Sequence, residues 1–113
     1  MSNNVDKLIA AGGKEWKSAD GSKHRVYFQV AKLIGFECDQ YNTGNISSAT
    51  LAGHEISNSL ARDYSSLCID SKAWVDVATG ELNVKLGYSR RVNITADEIK
   101  SALKNRIDTT ALA

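Results

Sequence analysis

Hydrophobic and polar residues follow two different periods along this chain, and the periods predict helices and strands in turn. Val5, Leu8 and Ile9 lie at the i, i+3, i+4 spacing of one helix face, which predicts a short helix over residues 5–11. Gly12 follows, and a glycine commonly ends a helix because it adopts the left-handed backbone conformation at little cost. We therefore expect an amphipathic helix followed by a sharp turn.

The next segments alternate with period two and predict a β-hairpin. Residues 14–19 and 23–29 are the two expected strands, and Asp20-Gly21 supplies turn residues between them. Because successive side chains of a strand point to opposite faces, the second strand is expected to divide into two sets. Those sets are His24, Val26 and Phe28 on one face, and Arg25 and Tyr27 on the other.

The middle of the chain predicts two helices separated by a polar segment. A short helix over 30–36 is expected to close at Gly35. Residues 37–56 are rich in serine, threonine and asparagine, and they predict turns with a strand over 46–51. Ser57 is a suitable N-cap for a following helix over 58–68, whose apolar stripe leaves Ser65 on the outer side.

A second hairpin is predicted after this helix. The segments 74–77 and 82–86 both alternate, and the residues between them include Gly80, which suits the left-handed position of a longer hairpin loop. The alternation places Leu82 and Val84 on the buried side of the second strand.

The last predicted helix has the clearest start. Thr95 and Glu98 have the spacing of a capping box, in which the two residues bond to each other across the first turn. Ile94 and Ile99 occupy the positions whose side chains commonly pack together at such a start. The helix is expected to end near residue 108, with residues 109–113 forming a flexible tail.

Together these segments predict one α+β domain over residues 1–108. The expected architecture is an antiparallel sheet of about four to six strands in hairpins, with three to four helices packed mainly on one face. The chain has 113 residues, a common size for a single domain. Its hydrophobic fraction of 42% excludes a mainly disordered chain.

Charge and apolar patterning narrow the classes of partner. The 14 basic and 13 acidic residues leave a formal charge of +1, without the basic excess of a dedicated duplex DNA binder. No apolar run reaches the roughly 18 residues that a bilayer span needs, and the N-terminal residues lack the form of a secretory signal. We therefore expect a cytoplasmic protein with reduced thiols at Cys38 and Cys68 and no membrane partner.

No cluster of residues predicts catalysis, a metal site or a cofactor. Cys38 and Cys68 fit no zinc-binding spacing, and a cysteine–histidine pair with His24 or His54 would need a contact that sequence alone does not supply. Neither the glycines nor the carboxylates have the spacing of a phosphate-binding loop or of a paired acid–base site. An enzyme with an unrecognised site is kept as an alternative.

Two surfaces are candidates for partner binding. The first is a basic and aromatic surface on the predicted strands, because arginine and aromatic side chains on a sheet can dock a protein or stack on bases. The second is a polar loop over 41–49, whose tyrosine and amide groups resemble adaptable binding loops. The candidate residues are Arg25, Tyr27, Tyr88, Arg90 and Arg91 in the first surface, and Tyr41, Asn42 and Asn45 in the second.

These observations favour a non-catalytic binding module, a small accessory or inhibitory factor whose partner is another protein. A nucleic-acid binder that uses the basic and aromatic surface is the first alternative, and a homodimer formed through a sheet edge is another. The segments 24–28 and 41–59 resemble small phage or mobile-element proteins in character, without a family match.

Overall fold

The computed structural model describes residues 2–38, 48–88 and 92–108, and four helices and seven strands lie within them. In chain order they are α1 (Ser2–Ala10), β1 (Lys14–Lys17), β2 (His24–Phe28), α2 (Val30–Ile34), β3 (Phe36–Cys38), β4 (Ala49–Leu51), β5 (His54–Glu55), α3 (Asn58–Asp70), β6 (Lys72–Asp76), β7 (Leu82–Lys85) and α4 (Ala96–Asp108). This composition confirms the α+β class that the sequence predicts.

The described strands form two antiparallel sheets. The larger sheet has four strands in the order β1-β2-β6-β7, and the smaller has three in the order β3-β4-β5. Both predicted hairpins are present, and pairing between β2 and β6 joins them into one sheet. The sequence predicted a single sheet. The difference arises in the polar middle of the chain, where three short strands pair with one another instead of extending the larger sheet.

Three helices cover one face of the larger sheet, as the alternation predicts. The strand residues in this core are Val26, Phe28, Ala73 and Val75, and the helices contribute Val5, Leu8, Val30, Ile99, Leu103 and Ile107. Helix α3 lies elsewhere. It packs in a second core with the smaller sheet, where Ala61 meets Ala31, Phe36 and Ala49. The layers of helix and sheet therefore leave one face of the larger sheet outside both cores.

The turn between α1 and β1 passes very close to the larger sheet. A Cβ at Gly13 would collide with the side chains of Val26 and Phe28, so only glycine fits where the chain crosses β2. The Arg106 side chain of α4 reaches the same turn, and its Nε donates to the carbonyl oxygen of Ala11 at 2.8 Å. Both features hold the turn close to β2 and α4 directly before β1 begins at Lys14.

One carboxylate organises the turn between β1 and β2. The Oδ1 atom of Asp20 accepts hydrogen bonds from the Ser18 hydroxyl at 2.7 Å, from the Ser22 backbone N–H at 3.0 Å and from the Ser22 hydroxyl at 2.7 Å. Because these donors favour the charged form, they hold the pKa of Asp20 well below its usual range. The ordered turn supports the register in which Trp16 lies opposite Arg25.

Both predicted helix starts are capped. Ser57 Oγ accepts the Leu60 N–H at 3.2 Å. Thr95 Oγ1 accepts the Glu98 N–H at 3.2 Å and donates to the Glu98 carboxylate, also at 3.2 Å. Ser65 departs from the sequence prediction, because it is buried. Helix α3 packs against both α2 and β4, so its covered side is wider than its apolar stripe.

Three predictions concern the limits of the described chain. The strand expected over 46–51 appears as β4, which begins at Ala49. The predicted tail over 109–113 lies outside the described residues, and so does the greater part of the polar loop, over 41–47.

Candidate partner-binding face

The second face of the larger sheet, which we term the open face, lies opposite the helices. Strand alternation and register bring its side chains together, and none of them belongs to either hydrophobic core of the described residues. The open face comprises Lys14, Trp16, Arg25, Tyr27, Lys72, Trp74, Asp76, Asn83 and Lys85. It joins large aromatic groups and basic groups on one surface of the sheet.

Three aromatic rings form the centre of the open face. Trp16 and Tyr27 meet edge to face with their centroids 6.1 Å apart, and Tyr27 lies 5.5 Å from Trp74 at a tilt of 45°. These separations lie in the range that favours aromatic pairs. The rings come from β1, β2 and β6, so three neighbouring strands contribute one ring each.

The Arg25 side chain lies among these rings, and we call the four residues the ring cluster. The guanidinium carbon of Arg25 lies 4.6 Å from the ring centroid of Trp74 and 5.7 Å from that of Trp16. Its Nη1 donates to the Tyr27 hydroxyl at 3.0 Å. Its Nε is buried and has no acceptor among the described residues. Two cation–π contacts and one hydrogen bond therefore fix the position of this charge.

Arg25 is held by rings although a carboxylate faces it across the sheet. Asp76 stands directly opposite Arg25 in the register of β2 and β6. No ion pair joins them within the described chain, and Asp76 Oδ1 instead accepts the Ala78 N–H at 3.0 Å in the turn after β6. The guanidinium charge is consequently not neutralised by its nearest cross-strand acid.

Lysines surround the ring cluster. Lys14, Lys72 and Lys85 are exposed, and Lys72 stands directly opposite Lys85 in the β6–β7 pair. Like charges in directly opposed positions destabilise a sheet. Two ion pairs lie nearby in the described part of the chain, Lys17 with Glu15 at 4.0 Å and His24 with Glu15 at 2.6 Å, and neither involves these three lysines. With Arg25 and Asp76 included, the open face has a net charge of +3.

A groove opens at one end of this face, between the larger sheet and the end of α3. We term it the end groove, and its volume is about 730 Å³. Its lining includes Lys14, Trp16 and Tyr27 from the sheet, Ile69 from α3, and Lys72 at the start of β6. The end groove is therefore continuous with the open face and shares two of its rings.

The reactive groups of the end groove are few, and its lining holds one thiol and no histidine. Its one thiol belongs to Cys68, and burial together with the nearby Cys38 raises the pKa of this thiol to about 11. Because Cys68 stays protonated at neutral pH, it is a poor nucleophile. Neither His24 nor His54 lines the groove. The described residues contain no cluster of three or more potential metal ligands.

The structure brings together part of the predicted surface. Arg25 and Tyr27 share one face as predicted, and Tyr88 is 81% exposed three residues beyond β7. The other candidates lie outside the described residues, namely Arg90 and Arg91 from the first surface and Tyr41, Asn42 and Asn45 from the loop.

Sequence reasoning missed the two tryptophans of the ring cluster. Trp16 and Trp74 occupy the same strand parity as Arg25 and Tyr27 once the hairpin registers are known. The register of the first hairpin would have found Trp16, because it pairs with Arg25 across the turn at Asp20. Paired residues of neighbouring strands have their side chains on the same face of the sheet. Trp74 required knowledge that β6 pairs with β2, which alternation within a hairpin does not reveal.

Comparison of the chain with protein-family models, curated proteins and solved structures finds no match. No helix in the described ranges combines the length and apolarity needed to cross a bilayer.

Proposed function

We propose that this protein is a non-catalytic binding module whose open face docks an acidic surface of a protein partner. The observation that supports this most directly is the ring cluster, a preformed group of two tryptophans, a tyrosine and an arginine beside lysines that have no acidic partner among the described residues. If docking covers the functional surface of the partner, the module acts as an accessory or inhibitory factor. The cytoplasm is the compartment we propose for this encounter.

The residue types favour a protein partner. Tryptophan, tyrosine and arginine are the side chains that most often dominate the binding energy of protein interfaces. In the ring cluster they are already ordered by contacts with one another, so little side-chain freedom remains to be lost on binding. The Arg25 guanidinium also covers part of Trp16 and Trp74, which leaves less ring surface for stacked bases than an uncovered platform would offer.

The charge distribution favours an acidic surface on that partner. The open face has a charge of +3 although the whole chain has a formal charge of +1, so positive charge is concentrated there. Carboxylates placed beside Lys72 and Lys85 would relieve the repulsion between these opposed side chains. Complementary charge of this kind increases the rate and specificity of association more than the affinity itself.

A single-stranded nucleic acid is the second candidate, and the same lysines favour it. A basic surface that follows the backbone, combined with aromatic rings that contact bases, is the usual arrangement in such binders. For this candidate, we expect the affinity for nucleic acid to fall steeply as the salt concentration rises, because phosphate contacts release counterions. A protein interface centred on the ring cluster expects a much weaker salt dependence.

The proposal is tested by capture of partners from the native host with three tagged baits. The baits are the wild type, Trp16→Glu and Ile9→Glu. Trp16 and Ile9 are matched in exposure, at 42% and 43%, but Ile9 lies on α1, on the helix side of the sheet. We expect one protein to bind the wild type and Ile9→Glu baits but not Trp16→Glu. With purified proteins, we expect Trp16→Glu to raise the dissociation constant measured by calorimetry at least about tenfold.

Three results would overturn the proposal. A reconstituted complex that tolerates Trp16→Glu would place the interface elsewhere. Tight, salt-sensitive binding of a fluorescent single-stranded oligonucleotide that is lost in Trp16→Glu would identify nucleic acid as the partner. Concentration-dependent dimerisation in sedimentation, abolished by the same variant, would identify a second copy of the chain as the occupant of the open face.

A further inference from the structure

We infer that the end groove is the anchor site of this interface, and that it receives one large apolar side chain from an extended, acidic segment of the partner. This inference rests on the proposed function, since it names which part of the partner is recognised. The observations that support it are the exposed apolar walls of the groove, its apolar floor, the two lysines at its rim and the strand edge beside it.

The walls of the end groove are apolar side chains that face a shared cavity. Ile69, in the last turn of α3, is 48% exposed, and Trp16 on β1 is 42% exposed. Single exposed apolar residues are normal on protein surfaces. These two line the same cavity of about 730 Å³ together with Tyr27. That volume lies in the range of sites that enclose a small ligand, so a large side chain can be received between them.

The floor of the end groove is uncharged. Val30 and Ala31, at the start of α2, line the groove and are buried. The Cys68 thiol lies in the same lining and remains neutral at physiological pH. A charged group that entered this space would lose hydration, and neither Val30 nor Ala31 has a polar side chain to compensate it. An apolar side chain is the group that this floor accepts.

The rim of the end groove is basic. Lys14 and Lys72 lie in its lining, and neither forms an ion pair within the described residues. The one carboxylate of the lining, Glu15, is already engaged by His24 at 2.6 Å and by Lys17 at 4.0 Å. Acidic residues on either side of the inserted side chain would therefore meet positive charge that is not already compensated.

The strand edge beside the groove suits an extended segment. In the four-stranded sheet, β1 is an edge strand, and all four of its residues are exposed. An unpaired strand edge presents backbone donors and acceptors, and extended peptides bind such edges by adding a strand. A segment lying along β1 would bring alternate side chains towards the open face, where Trp16 borders the groove.

The first experiment uses the full chain and short synthetic probes. The probe is the peptide acetyl-Glu-Glu-Phe-Glu-Glu-amide, and the controls are the same peptide with alanine in place of phenylalanine, and a version with lysines in place of the glutamates. Binding is followed by tryptophan fluorescence and by shifts of backbone amide signals in NMR. We expect the alanine peptide to bind at least about tenfold more weakly, and the lysine peptide to show no saturable binding.

A matched pair of variants then locates the bound side chain. Ile69→Glu alters the wall of the end groove, whereas Ile9→Glu makes the same change at a residue of similar exposure, 43% against 48%, that does not line it. We expect Ile69→Glu to lower the affinity for the phenylalanine peptide at least about tenfold. Ile9→Glu should leave this affinity unchanged. Circular dichroism and urea unfolding confirm that both variants are folded.

The outcomes separate this inference from the proposed function. If Ile69→Glu and Ile9→Glu bind the phenylalanine peptide equally, or if no peptide binds at about 1 mM, the anchor site is wrong. The proposed function would still stand if the reconstituted partner is lost in Trp16→Glu. Equal binding of the acidic and lysine peptides would contradict the claim that the recognised segment is acidic, because it would show only non-selective apolar binding.

Discussion

The two faces of the larger sheet are built from alternate residues of the same strands, yet their side chains are ordered in different ways. On the helix side, Val26, Ala73 and Val75 are buried by packing against α1, α2 and α4. On the open face, Arg25 is ordered by rings of its own sheet at 4.6 and 5.7 Å. The first arrangement needs other layers of the protein, whereas the second is complete within one layer.

This difference shows how a small protein can leave a sheet face outside its core and still order the side chains of that face by contacts among themselves. Contacts among a guanidinium and neighbouring rings replace the missing helix layer. These side chains are therefore ordered without being covered by a helix. We therefore expect changes on the helix side to reduce chiefly the folding stability, and changes on the open face to reduce chiefly the binding of a partner.

The largest expected effect is on the helix side. Leu103→Ala removes a fully buried side chain of α4 and should lower the free energy of unfolding by about 2 to 5 kcal/mol, because it leaves a cavity in the core. Trp16→Ala should lower it by only about 0.5 to 1.5 kcal/mol, the value of its ring contacts. Urea unfolding measures both. Equal losses would mean that the open face is part of the core.

A smaller effect should come from the centre of the open face. Arg25→Lys keeps the charge but removes the planar group that lies over Trp74 and bonds to Tyr27. We expect a loss of about 1 to 2 kcal/mol in the free energy of unfolding, with a change in tryptophan fluorescence. Arg25→Met should lower the free energy of unfolding by a similar amount. Both variants keep the apolar stem of the side chain and lose the planar guanidinium. Wild-type stability in the lysine variant would show that charge alone orders the cluster.

Lys85→Glu should separate stability from binding most clearly. The substitution converts the opposed Lys72 and Lys85 into an oppositely charged pair and should raise the free energy of unfolding by about 0.2 to 1 kcal/mol. The same change should weaken the complex with an acidic partner. Lys85→Gln, which only removes the repulsion, should give a smaller gain. A variant that is both more stable and tighter binding would contradict the acidic-partner proposal.

The smallest expected effect is pH-dependent and concerns the turn that sets the register of β1 and β2. Because the pKa of Asp20 is lower in the folded protein than the ordinary value of 3.8, its contribution to stability is present above that pH. The contribution is lost as the pH falls through the folded value. A carbon-13 NMR titration should give an Asp20 midpoint below 3.8. Asp20→Asn should make acid unfolding less dependent on pH in this range, and an unchanged dependence would contradict the assignment.

Local rules predicted much of the fold correctly. Periodicity found α1 and α4, the turn residues found both hairpins, and the caps at Ser57 and Thr95 were located from single residue types. Each of these depends on interactions between residues close in sequence. The alternation of β2 also separated Arg25 and Tyr27 from the buried Val26 and Phe28, as the structure confirms.

Features that depend on distant contacts were not predicted. The stacking of Phe36 on Tyr64, with centroids 5.6 Å apart, joins β3 to α3, and neither residue indicates the other in the sequence. The burial of Ser65 has the same origin, because α3 is covered by two elements. Trp74 joins the ring cluster only through the pairing of β2 with β6. Tertiary pairing, more than local propensity, assembles the candidate site.

The opposed lysines of β6 and β7 have a consequence for the behaviour of the protein in concentrated solution. An exposed sheet with aromatic rings invites face-to-face stacking of identical molecules, and two such surfaces would bring Lys72 and Lys85 of each copy towards like charges. We expect this repulsion to oppose self-association through the open face. Since added electrolyte screens it over about 10 Å at 0.1 M, colloidal solubility should decline as ionic strength rises.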